Sequence, residues 1–124
     1  MSTSPVAGLG PGLQVLPSAE RAAALNDLAA ALAFLGDDAS RASEHSRDVR
    51  LHVVACQAQH LAWEVLDLLP AHDAAGFVVP ERAGLPAASS AVRAALDAEH
   101  VRPLPRDLGV SLGFLLELAQ AVTP

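Results

Sequence analysis

Residues 37–69, DDASRASEHSRDVRLHVVACQAQHLAWEVLDLL, decide the fold of this chain. Apolar residues return at three- and four-residue spacing, the period of an α-helix. Asp37, Asp38 or Ser40 can start the helix, and Pro70 ends it after Leu69. One side carries Val49, Val53, Cys56, His60 and Trp63. A second carries Leu51, Val54, Ala58, Leu61, Val65 and Leu68. A third line runs through Asp48, His52, Ala55, Gln59, Ala62, Leu66 and Leu69. Arg50, Gln57, Glu64 and Asp67 mark the polar edge. So wide an apolar arc predicts one long central helix with partners along its length.

Working outward, the preceding segment predicts a helix from Ala19, with Ser18 as N-cap and Glu20 in the first turn. Leu25, Leu28, Leu32 and Leu35 form its inward stripe, and Gly36 reads as its C-terminal stop. Residues 70–85 read as a loop, rich in Pro and Gly, with Phe77, Val78 and Val79 as an apolar anchor. Pro86 suits the first turn of a third helix reaching about His100, with Val92 and Leu96 inward. Pro103 and Pro105 break the chain. A last helix then runs from Arg106 or Asp107 to Val122, packing through Leu108, Leu112, Leu115, Leu116 and Ala119. Gly109 and Gly113 are expected to permit close helix contact.

The expected architecture is all-α: a small four-helix domain with one long central helix, in orthogonal or bundle-like packing. Residues 1–17, punctuated by Pro and Gly, read as a flexible arm and residues 18–124 as a single helical domain. The chain has 124 residues, enough for one core. It has three Phe, one Trp and no Tyr, so Leu, Val and close approaches at Ala must build that core. The formal charge is −6, and the basic residues are all Arg. Arg41, Arg47 and Arg50 are interrupted by Glu44 and Asp48, so no dense positive footprint for nucleic acid arises. One cysteine, Cys56, excludes an intrachain disulfide. With no leader pattern and no apolar span, a cytoplasmic protein that does not enter the membrane is expected.

Candidate chemistry centres on three histidines, His45, His52 and His60. Four-residue steps link Glu44, Asp48 and His52, and again His60 and Glu64, placing each set on one helix face. Such pairs suit acid–base work, the carboxylate orienting the imidazole. A pocket of Val53, Cys56, Trp63 and His72 could hold a small apolar ligand beside them. That is the enzyme alternative: His52, Asp48, His60 and Glu64 as catalytic groups of an isomerase, cyclase or dehydratase. A metal-binding helical protein is the third reading. However, CxxCH and HExxH are absent and one helix supplies too few convergent ligands. No metal and no cofactor are therefore expected.

The leading expectation is an interaction protein, a homodimeric adaptor or regulatory partner of another protein. Its apolar anchors would be Leu61, Val65 and Leu68, with Arg47 and Arg50 at the rim. The reasoning is that three short helices cannot cover so wide an apolar arc, whereas a second copy can.

Overall fold

The computed structural model describes residues 19–69 and 84–122. Among them are four α-helices, α1 (Ala19–Ser43), α2 (Arg50–Leu66), α3 (Leu85–Leu96) and α4 (Arg106–Val122), with a 3₁₀ turn at Glu99–Val101. No described residue lies in a strand. The fold is a small helical bundle, as the spacing predicts. The expected N-terminal arm and residues 70–83 of the loop expected over 70–85, with Pro70 and Phe77, lie outside the described residues.

The long helix is α1 rather than the one expected over 37–69, and Gly36 does not end it. α1 runs through Gly36, helped by the Asp37–Arg41 pair one turn apart at 3.3 Å. Gly36 instead marks where α1 and α2 touch. A Cβ there would lie 2.7 Å from Gln59 Cγ and 3.2 Å from the Ala55 carbonyl oxygen. The missing side chain serves a close helix crossing, and the αL conformation of a helix stop is not used.

α1 is the shared wall of the bundle. It packs against α2, α3 and the 3₁₀ turn, while α4 closes on α2 and α3. Leu25, Leu28, Leu32 and Leu35 are fully buried. Across from them α2 contributes Leu51, Val54, Ala58, Leu61 and Val65, α3 contributes Val92, and α4 contributes Leu108, Leu112, Leu115 and Leu116. Trp63 and Phe114 both lie at the surface, so the core of the described residues is aliphatic. Fully buried alanines at 29, 39, 58 and 119 let the helices approach closely.

The later helices follow the expected pattern with shorter bounds. α3 begins at Leu85, with Pro86 in its first turn, and ends at Leu96 rather than near His100. Gly84 precedes it at φ 88°, a backbone state that disfavours other residues, and its carbonyl accepts the Ala88 N–H at 3.0 Å. Arg21 ties the start of α1 to the end of the 3₁₀ turn and the chain just after it. Its Nη1 donates to Val101 O at 3.1 Å and its Nη2 to Pro103 O at 2.8 Å.

Gly109 and Gly113 depart from expectation. Both are exposed, and a Cβ at either would meet nothing within 4 Å. They mediate no close contact and only weaken α4. Gly109→Ala and Gly113→Ala should each stabilise the fold by about 0.5–1 kcal/mol, roughly the Gly-to-Ala helix propensity difference. At Gly36, Ala gains the same propensity but meets Gln59 and the Ala55 carbonyl, whereas Leu must displace α2. Gly36→Leu should therefore cost about 1–3 kcal/mol. Urea unfolding followed by circular dichroism measures all three; equal effects at 36, 109 and 113 would contradict the close crossing.

Candidate functional site

The 37–69 stretch is two elements, divided at residues 44–49. Two local side-chain bonds compete with helix there. Ser46 Oγ accepts the Asp48 N–H at 3.0 Å, and Asp48 Oδ1 accepts the Arg50 N–H at 3.0 Å. Hydroxyl and carboxylate groups that capture a nearby backbone N–H favour turns and helix starts over helix interiors. Asp48 thus opens α2 rather than continuing α1.

This break reassigns the first histidine–carboxylate set. Asp48 is held by Arg50 in a forked pair, Nε to Oδ1 at 2.9 Å and Nη2 to Oδ2 at 2.7 Å. The side-chain hydrogen bonds from Arg50 lower the Asp48 pKa most, with its backbone N–H bond adding to the effect. The Asp48–His52 pair expected from spacing is replaced by Asp48–Arg50, and His52 stands in solvent. Glu44 and His45 fall in the turn after α1, where they line a cleft of about 590 Å³ with Asp38, Arg41 and Gly84. The second pair does form. His60 Nε2 lies 3.2 Å from Glu64 Oε2, with both side chains largely exposed. An exposed pair of this kind orients an imidazole weakly.

α2 separates its two apolar seams cleanly. Leu51, Val54, Ala58, Leu61 and Val65 face the bundle, Leu61 at 1% and Val65 at 0% exposure. Leu68 is half-buried against the same core. Of the expected interface anchors Leu61, Val65 and Leu68, the first two are therefore taken up by intramolecular packing and Leu68 in part. The opposite seam is the exposed one. Val49 is 71%, Val53 45% and Trp63 49% exposed, with Cys56 and His60 exposed between them. Arg47 and Arg50 are also exposed.

The ligand-pocket residues Val53, Cys56 and Trp63 therefore share a convex helix face rather than the wall of an enclosed pocket. His72 lies outside the described residues. A second cleft, between α1 and α3, is lined largely by alanine with Phe34 and Asp27. Neither cleft includes His52, His60, Cys56 or Trp63. Among the described residues no group of three or more His, Cys, Asp and Glu side chains could hold a metal ion. Spacing alone missed the second exposed apolar pair, Val110 and Phe114 on α4, at 52% and 68%. Their i, i+4 spacing, offset from the α4 leucines, is the signal that could have found them.

No known protein family, curated protein or solved structure matches the chain. The outer face of α2 is the candidate site on its geometry alone.

The Asp48 fork has a pH signature. Its folded pKa lies below the unfolded value, so its contribution is present above the unfolded pKa and is lost as pH falls through the folded one. Carboxyl NMR titration should place the Asp48 midpoint below the ordinary aspartate value, and Arg50→Gln should raise it. Identical midpoints in the two proteins would show that the fork does not form in solution.

Proposed function

We propose that this chain is a small helical interaction protein, a dimeric adaptor or regulatory partner, whose working surface is the outer face of α2. The observation that supports it is the row Val49, Val53 and Trp63, three large apolar side chains left in solvent on the side of α2 away from the core. A Trp with aliphatic neighbours supplies the kind of anchor that dominates protein contacts. The polar residues beside it, Arg50, Gln57 and Glu64, form the rim that such surfaces carry. Dimerisation in this proposal uses the opposite seam to the one expected from sequence, because Leu61 and Val65 already belong to the core.

The fold is compatible with contact through this face at little conformational cost. α2 is fixed along α1 and α4, so its outer row is presented by a rigid element. Among the described residues no helix is long and apolar enough to cross a membrane.

The test is association state, measured by sedimentation across concentration. The native chain should self-associate, and Trp63→Ala should weaken association by about tenfold to a hundredfold, the range of an anchor truncation. Val53→Glu should act in the same direction, with helix content retained in both. Phe114→Ala on α4 is the control and should leave association unchanged. A native chain that stays monomeric, or variants that associate as well as the native chain, would sink the proposal.

A further inference from the structure

Resting on that assignment of the α2 outer face, we infer that its occupant is the same face of a second copy, in antiparallel orientation. The outer residues Val49, Val53, Cys56, His60 and Trp63 follow a 4–3–4–3 spacing, the rhythm of a helix seam that packs against another helix. One flank of this seam carries Arg50, Gln57 and Glu64 at successive seven-residue steps, all exposed. It is basic at its start, neutral at its middle and acidic at its end.

That order selects the direction of the partner. In an antiparallel pair of identical helices, the same flank of each copy meets across the interface in reversed order. Arg50 then faces Glu64 of the second copy, Glu64 faces its Arg50, and the two Gln57 side chains meet near the two-fold axis. The contact is isologous, so each attractive pair occurs twice. A parallel pair sets this flank against the opposite one, which carries His52 and Gln59, and offers Arg50 no carboxylate. Along the seam, the antiparallel register sets Val53 against Trp63 and Cys56 against His60, each twice. The largest apolar side chain thereby covers a β-branched residue at each end of the contact.

The groups concerned can make these contacts without abandoning their present ones. The Asp48 fork engages Nε and Nη2 of Arg50, and Nη1 takes no part in it. Glu64 meets His60 through Oε2, leaving Oε1 outside that contact. The seam from Val49 to Trp63 is about 21 Å long at 1.5 Å per residue, a short pairing, so a reversible dimer follows rather than an obligate one.

Charge exchange between the two rim positions tests the register. Arg50→Glu and Glu64→Arg, each alone, place like charges together twice and should each weaken dimerisation by about tenfold. The double variant Arg50→Glu/Glu64→Arg restores opposite charges and should return the dissociation constant to within about threefold of native, a recovery specific to the antiparallel register. Circular dichroism confirms that each variant is folded. A dimer that Trp63→Ala disrupts, yet that the double variant fails to restore, overturns the antiparallel register while leaving the docking face in place. A monomeric native chain overturns both.

Discussion

Leu25, Leu28, Leu32 and Leu35 are without solvent exposure because α2, α3 and the 3₁₀ turn all close on the same helix. Among the described residues α2, α3 and the 3₁₀ turn are placed by that shared wall, and α4 closes on α2 and α3. An aliphatic core has no large rings to span gaps, so burial must come from short distances between helix axes. The alanines at 29, 39 and 58 and the glycine at 36 shorten those distances at successive levels of α1 and α2. Removing the side chain at Gly36 is therefore part of the same solution as placing four leucines one turn apart.

The consequence for α2 is a strict division of labour. Its aliphatic seam is used up by α1 and α4, and whatever else it does must be done by the seam facing away. That outer seam mixes two valines, a cysteine, a histidine and a tryptophan, more polar than the buried seam and exposed along its length. The polar and charged groups near it are locally engaged, Asp48 with Arg50 and His60 with Glu64. In the proposed role these groups would shape the rim of the contact.

Helical class, the leucine stripe of α1 and the bounds and packing face of α4 were legible in the sequence, since regular spacing over several turns leaves little ambiguity. The division at residues 44–49 was not. Glu44, Asp48 and His52 fit a helical step, and the decisive competition, Ser46 and Asp48 capturing backbone N–H groups, involves residues that are also tolerated within helices. Gly36 was misread for a related reason: a glycine after a periodic run looks the same whether it stops a helix or admits a neighbour. The two seams of α2 were both visible, but periodicity cannot say which one faces inward. The more uniformly aliphatic seam was assigned to a partner molecule, whereas burial within the chain claims that seam first, because it requires no second copy to be present.

The Arg21 clamp carries an implication for chain entropy. Its acceptors, Val101 and Pro103, lie 80 and 82 positions away along the chain, whereas α1 and α2 are separated only by the 44–49 turn. Closing the short connection costs little chain entropy, and closing the long one costs more. The α1–α2 hairpin is thus the pairing that costs least chain entropy to close, and the guanidinium holds the connection between α3 and α4 across a far longer separation. One arginine near the start of the first helix thus holds the connection that leads into the last, which begins at Arg106.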